Sequence, residues 1–205
     1  MPAIPVAPAI AAGPTEAGAA ETGLTTLAEA RWPESDHDQA PPPLPGFIVS
    51  SFSPIAAEAA ARCLSRRPAG LSQDSDQDSD PALPTVAEAV VRSAGILQPT
   101  RTAVVIASAR GDVHSAAHVA AAVDTAAPLG PLLFFQSVPN AVAGHIAARW
   151  QLTGPVVCVA DRASALAAAA LLIEDGDADE ALVLHAEQTA AHAVLLCAQS
   201  PGGQP

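Results

Sequence analysis

Four short apolar runs, separated by segments of helical length, constrain the fold more than any other feature of the sequence. The runs are Thr102–Ser108, Pro155–Val159, Ala181–His185 and Ala193–Cys197. Because they are short and rich in β-branched residues and leucine, they are typical of strands that are covered on both faces. Helical segments follow the first two runs. This alternation predicts an α/β layered sheet, mostly of parallel crossover units, that ends in an antiparallel pair of strands.

A fifth strand is predicted upstream of these runs, at Gly46–Ser51, which gives a mixed five-stranded sheet. The second predicted helix begins at Thr85, a good N-cap residue with Glu88 at the capping-box position. The helices expected from the apolar pattern are 55–67, 85–94, 114–123, 137–150 and 163–174.

The composition excludes several classes of function. The formal net charge is −12, and all nine basic residues are arginine. Nucleic acids and anionic membranes bind to positively charged protein surfaces, so neither is expected as a partner of this acidic chain. Without lysine, the chain has no Walker-type phosphate lysine, Schiff-base lysine or lysine general base.

Pro/Ala-rich and acidic segments set the expected domain boundaries. Residues 1–45 are rich in Pro, Ala and Glu, and they are predicted to be disordered. The folded domain is expected at 46–200, interrupted by an acidic flexible loop at 71–82 and followed by a tail at 201–205. The DSDQDSD run resembles a calcium loop, but Ser79 and Thr85 stand where glycine and a bidentate glutamate are needed. A metal site is therefore not expected.

The cysteines and the N-terminus indicate a cytoplasmic protein. Cys63, Cys158 and Cys197 lie far apart without C-x-x-C spacing, so we expect core thiols rather than a disulfide or zinc framework. The N-terminal residues lack a basic n-region, and no long apolar run is free of charge and proline. We therefore expect neither a secretory signal nor a membrane span.

The segment FFQSVPNAVAGHIAARWQLTGPVVCV, residues 134–159, combines several packing devices. Ser137 is a plausible N-cap, and Pro139 suits the first turn of a helix. Ala143 and Gly144 lack side-chain bulk, so another backbone can approach that side of the helix. The residues Gly154 and Pro155 mark a turn into the next strand.

Together with the Gly-Asp-Ala-Asp turn at 176–179, this segment resembles the N-terminal half of β-ketoacyl synthases. The resemblance extends over about residues 46–200 and implies a thiolase-like half, a single α/β/α unit. In that family, the Gly-Pro-led strand delivers the chain to an elbow that carries the nucleophilic cysteine. Here Ala160-Asp161-Arg162-Ala163 stands at the elbow, and the connection is shorter. The resemblance therefore implies the scaffold without a catalytic residue.

The resemblance also implies a function and a set of contact residues. A synthase homologue without the elbow cysteine is expected to pair with an active ketosynthase in type II polyketide, polyene or fatty-acid-like biosynthesis. It would shape the length of the product and meet the acyl carrier protein only indirectly, with no cofactor or metal of its own. Phe134 and Phe135 are the candidates for lining the acyl tunnel. The expected interface residues are Asn140, Ala143, Gly144, Pro155, Val157 and Val159.

Two alternatives remain open on the sequence. The chain could be a small acyltransferase or thioesterase that acts on carrier-protein thioesters through Ser164 or Cys158. A serine nucleophile needs a base within hydrogen-bond reach, and His145, His185 and His192 qualify only by residue type; otherwise they are packed or surface residues. Asp161 is more easily explained as a helix N-cap. The other alternative is a degenerate synthase remnant with no specific partner.

Overall fold

The fold is an α/β layered unit, seen in a computed structural model that describes residues 22–68 and 100–199. The strands of the described residues are β1 (Leu24–Trp32), β2 (Thr102–Ala107), β3 (Val156–Val159), β4 (Glu180–Ala186) and β5 (Ala191–Ala198). Their helices are α1 (Phe52–Ser65), α2 (Val113–Asp124), α3 (Pro131–Gln136), α4 (Pro139–Arg149) and α5 (Arg162–Glu174).

The five strands form one mixed sheet in the order β1-β5-β4-β2-β3. β2 runs parallel to both β3 and β4, whereas β5 runs antiparallel to β4 and β1. The parallel crossovers and the closing antiparallel pair agree with the sequence prediction. β1 and β3 are the two edges of this sheet.

A separate apolar core lies on each face of the sheet. Helices α1 and α4 cover the first face, where Phe52, Ile55, Ile106 and Ile146 are almost fully buried. Helix α5 covers the second face with Ala165, Leu166 and Ala169, which are packed against apolar residues of β2, β4 and β5. The small alanines allow α5 to approach the sheet closely. On its outer side, Leu171 remains 57% exposed.

The predicted first strand was wrong in position. Gly46–Ser51 is an irregular segment that leads into α1, and Ile48 is 85% exposed. The fifth strand is instead Leu24–Trp32, inside the 1–45 region that was predicted to be disordered. Its Ala28, Ala30 and Trp32 are buried in the first core, so the folded unit begins well before residue 46.

Acidic residues of the same N-terminal region also bind the folded unit. Both carboxylate oxygens of Asp38 accept hydrogen bonds from Arg62 of α1, at 2.7 and 2.8 Å. The Glu34 carboxylate accepts two from Arg66 at 2.7 Å, and the Arg66 contact lowers the pKa of Glu34. These contacts tie the segment after β1 to α1.

The predicted helix 137–150 is divided in two. Ser137 ends α3 rather than capping a longer helix, and α4 begins at Pro139. A proline fits the first turn because its missing N–H has no intrahelical acceptor there. The predicted helix 85–94 and the acidic loop lie outside the described residues.

Candidate functional site

The elbow after β3 is built as a helix cap. Asp161 is the N-cap of α5, and its carboxylate accepts hydrogen bonds from the backbone N–H of Ser164 at 2.9 Å and from its hydroxyl at 2.8 Å. These bonds, with the backbone donor first, lower the pKa of Asp161. A capping carboxylate is favoured at the positive end of a helix. The expectation that Asp161 caps α5 is confirmed.

The cysteines of the described residues are not activated. Burial raises the pKa of the Cys63 thiol to about 12, and partial desolvation by neighbouring residues also raises the pKa values of Cys158 and Cys197. Reactive thiols show the opposite shift, because a cation or helix N-terminus stabilises the thiolate. Cys63 is a core residue, as predicted, and Cys197 is half-buried. The prediction of a buried Cys158 was wrong, because β3 lies at the sheet edge and leaves this residue exposed.

Ser164 has no histidine partner among the described residues that could act as its general base. Its hydroxyl donates to Asp161, and among the hydrogen bonds of the described residues none joins Ser164 to a histidine. A carboxylate whose pKa is lowered is a weak proton acceptor, and here it caps the helix. The arrangement is that of a structural serine rather than a nucleophile.

Two histidines lie side by side on the α5 face of the sheet. His185 of β4 is paired with His192 of β5, and His192 Nε2 lies 2.6 Å from Glu29 Oε1. His192 is only 8% exposed, so it is a core residue and not a surface one. His185 is half-buried, and burial is the main cause that lowers the pKa of both rings. His145, on α4, packs edge-on against Phe47 as a packed histidine should.

The free edge of β3 is the main candidate for an interface. The carbonyl oxygen of Pro155 accepts a hydrogen bond from Val104 of β2, and that of Val159 accepts one from Ser108, so both carbonyls lie on the same side of β3. Backbone groups of successive residues point to opposite sides of a strand, so those of Val156 and Cys158 point away from the sheet. Val156 is 40% exposed, and Cys158 is exposed. An apolar strand edge with free donors and acceptors can pair with another strand.

The predicted interface residues fall into three groups. Asn140 and Gly144 are exposed on α4. Ala143 is fully buried in the first core, so it has no surface to offer a partner. The other three residues are half-buried; they are Pro155, Val157 and Val159.

Val156 and Cys158 are the interface candidates that the sequence prediction missed. Val157 and Val159 pair in register with Val105 and Ala107 of the second core, so their side chains face α5. Val156 and Cys158 alternate with them and point to the opposite face. The alternation of side chains along a strand already predicts that Val156 and Cys158 share one face. Only the order of strands in the sheet identifies β3 as an edge.

The Phe-rich segment forms α3, a short helix that contacts α2 and α4. Phe135 is 59% exposed, and Val138 just after the helix is 46% exposed. Nothing is described for the side chain of Phe134. Exposed large apolar side chains close together are typical of an interaction surface.

The described residues contain no group of three or more His, Cys, Asp or Glu side chains suited to a metal ion. Within the same residues, no helix has the length and apolarity needed to cross a bilayer.

The mixed sheet, the helices on its two faces and the strand–elbow–helix connection define a thiolase-like fold. The β-ketoacyl synthase N-terminal domain matches residues 19–200. This chain therefore belongs to the family of β-ketoacyl synthase N-terminal domains. No curated protein sequence matches it significantly.

Solved structures similar to this chain come from ketosynthase systems. The complex of the ketosynthase ApeO with its chain length factor ApeC, from Xenorhabdus doucetiae, aligns with a TM-score of 0.54 and 15% identity over 88% of this chain and 80% of that one. The ishigamide ketosynthase/chain length factor aligns with a TM-score of 0.57 and 19% identity over 84% of this chain and 50% of that one. A third match is a β-ketoacyl synthase from Burkholderia phymatum STM815, with a TM-score of 0.50 and 16% identity over 89% and 54% of the two chains.

These similarities concern the fold, since the sequence identities are low. The chain spans only about half of the ishigamide and Burkholderia phymatum proteins, because its matched region is a single N-terminal-type domain. In the ApeO–ApeC complex, by contrast, the chain covers most of the matched polypeptide.

Proposed function

We propose that this chain is a non-catalytic β-ketoacyl synthase-like subunit that pairs with an active ketosynthase. The observation that carries the proposal is an elbow without a cysteine, directly after the edge strand β3. A capping Asp161 stands where the family places its nucleophile. The strand that leads to it exposes apolar side chains and free backbone groups.

The chemistry of β3 favours a strand from a partner protein as the occupant of this edge. Native proteins usually protect edge strands with charge, proline or a bulge. Val156–Val159 has none of these within the strand. A partner strand would bond to the backbone groups of Val156 and Cys158, and Asn140 and Gly144 remain candidate contacts because they are exposed on α4, a helix that contacts β3. Pro155, Val157 and Val159 would support this edge from within the chain.

Structural similarity supports a partnership of this kind. This chain aligns over 80% of a polypeptide in the complex of a ketosynthase with a chain length factor, so the fold of this chain occurs in such an assembly.

We further propose that the pair works in type II polyketide, polyene or fatty-acid-like synthesis in the cytoplasm, where this chain shapes product length. Phe134 and Phe135 are the candidate acyl-tunnel residues, and Phe135 has the exposure needed to contact a partner or its acyl chain. The carrier protein would deliver its substrate to the active ketosynthase and reach this subunit only indirectly.

The pairing can be tested by co-expression with a ketosynthase from the same organism, followed by size-exclusion chromatography with light scattering. A stable heteromer is expected. Val156→Lys should abolish it, because a lysine on the edge opposes strand pairing. Ile48→Lys is the matched control, since Ile48 is even more exposed but lies outside the sheet. A heteromer that tolerates Val156→Lys would contradict the edge-pairing proposal.

The role in chain length has a separate readout. Phe135→Ala is expected to keep the heteromer and to change the length distribution of its products, measured by mass spectrometry. The isolated chain should form no acyl adduct with carrier-protein thioesters. An adduct lost in Ser164→Ala or Cys158→Ala would instead establish the acyltransferase or thioesterase alternative.

A further inference from the structure

Helix α5 is apolar on all sides, although the sheet covers only one side of it. Apart from Ser164, residues 163–173 are all alanine, leucine or isoleucine, and none of them is charged. The main contacts of the helix are with β2, β3, β4 and β5. A surface helix normally carries polar residues opposite its buried side, whereas a helix that is apolar all round is normally buried. The outer side of α5 therefore indicates a further packing partner.

The outer side of α5 combines small residues with one large residue. Ala163, Ala167 and Leu171 are all exposed, and their spacing of four places them along one side of the helix. Leu171 is 57% exposed, and the half-buried Leu172 and Ile173 extend the apolar surface beside it. The surface is therefore shallow over the two alanines and projects at the leucine.

This surface is complementary to a second copy of itself. If two α5 helices run antiparallel about a two-fold axis at Ala167, Leu171 of one copy lies opposite Ala163 of the other. The same contact then occurs twice, as a two-fold interface requires. Each leucine fills the space over an alanine, and the small residues at the axis let the helices approach closely.

The charges at the ends of α5 also favour an antiparallel pair. Asp161 and Arg162 stand at the N-terminal end. Glu174 and Asp175 stand at the C-terminal end. The side chains of the first end balance and its helix dipole is positive, whereas the second end is negative in both respects. An antiparallel pair brings unlike ends together, whereas a parallel pair would place the two acidic ends side by side.

We propose that the outer side of α5 binds a second copy of this chain in a two-fold symmetric dimer. The helix has 13 residues, so a strip along it is about 20 Å long and about 10 Å wide, roughly 200 Å². A standard interface buries about 800 Å² on each partner, so this dimer is weak and depends on concentration. Its residues differ from those at the free edge of β3, so this contact is independent of pairing with a ketosynthase.

Sedimentation equilibrium of the full chain, from micromolar concentrations upwards, should show a reversible monomer–dimer equilibrium. Leu171→Glu should raise the dissociation constant about tenfold or more, because it buries a charge against the other copy. Val123→Glu is the matched control, since Val123 is 61% exposed on another helix, and it should leave the constant unchanged. Val156→Lys should also leave it unchanged, because Val156 lies on β3.

Disulfide crosslinking tests the geometry in a chain whose exposed Cys158 is replaced by serine. Ala167→Cys lies on the proposed axis and should form a covalent dimer under mild oxidation. Leu171→Cys is displaced from the axis in opposite directions in the two copies, so it should crosslink several-fold less. A monomer at all concentrations, equal effects of Leu171→Glu and Val123→Glu, loss of the dimer in Val156→Lys, or equal crosslinking at the two positions would each overturn the proposal.

Discussion

At the scale of single residues, two glycines of the same motif have opposite surroundings. A Cβ atom on Gly154 would lie 2.5 Å from the carbonyl carbon of Thr102 and 2.6 Å from the backbone N of Ala103. Backbone atoms of a central strand cannot move aside cheaply. A Cβ atom on Gly144 would meet nothing within 4 Å.

We therefore expect Gly154→Ala to lower the free energy of unfolding by about 1–3 kcal/mol or more, the cost of overpacking. Gly144→Ala, the control in an exposed helical position, should raise the free energy of unfolding by about 0.5–1 kcal/mol. Urea denaturation of both variants measures the difference. Equal stability of the two variants would contradict the close contact at Gly154.

Buried histidines make stability depend on pH. Burial, with the charge of Arg162, lowers the pKa of His185, although Glu187 opposes the shift. The unfolded chain then binds the proton more readily than the folded chain. The contribution of His185 to stability is therefore full above the unfolded pKa and decreases as pH falls through that value towards the folded pKa.

For His185→Leu we expect a smaller loss of stability between pH 7.5 and pH 5.5 than for the unmodified chain. One histidine can contribute at most about 1.4 kcal/mol per pH unit. His37→Leu, at an exposed loop position, is the matched control. Thermal denaturation at the two pH values measures the slopes, and identical slopes in all three proteins would rule out this source of acid sensitivity.

At the scale of elements, the sequence predicted four strands of the described sheet and missed the first one. The runs at β2, β3, β4 and β5 were recognisable because each is continuously apolar. β1 alternates small alanines with Glu29 and Arg31, inside a Pro/Ala-rich region. Its burial depends on pairing with β5, a contact between distant parts of the chain that local patterns do not reveal.

The candidate site was predictable only in part for a similar reason. The loss of the elbow cysteine and the capping role of Asp161 follow from the local sequence. The exposure of Val156 and Cys158 follows from the order of strands in the sheet, which places β3 at an edge. The burial of Ala143 beside the exposed Gly144 depends on how α4 is rotated against the sheet.

The outward side of α4 gives a prediction that separates folding from binding. Gly144→Ala should stabilise the isolated chain, as argued above, but weaken its pairing with a ketosynthase if a backbone packs against this position. We expect about a tenfold loss of affinity, equivalent to about 1.4 kcal/mol. Ala148→Ser, at another exposed position of α4, is a mild control. Surface plasmon resonance provides the measurement, and unchanged affinity would remove Gly144 from the interface.

At the scale of the whole molecule, the domain depends on its N-terminal edge strand. β1 pairs with β5 over Leu24–Trp32, and the following loop is held to α1 by arginine–carboxylate pairs. The boundary that composition suggested, at residue 46, would remove both sets of contacts. It would also uncover the part of the first core that Ala28, Ala30 and Trp32 fill.

A chain that begins at residue 46 is therefore expected to lose cooperative unfolding, whereas one that begins at residue 19, where the family match starts, should retain it. Calorimetry of the two truncated proteins tests this expectation. A cooperative transition in the shorter protein would mean that β5 can serve as a stable edge without β1.

Asp161 sets the electrostatic environment that a thiol placed at the elbow would meet. In this chain the first turn of α5 already has an internal anion, and two hydrogen bonds from Ser164 hold it there. A cysteine introduced nearby would face this negative charge, which opposes formation of a thiolate. An engineered nucleophile at this elbow therefore requires replacement of the carboxylate as well as introduction of the cysteine.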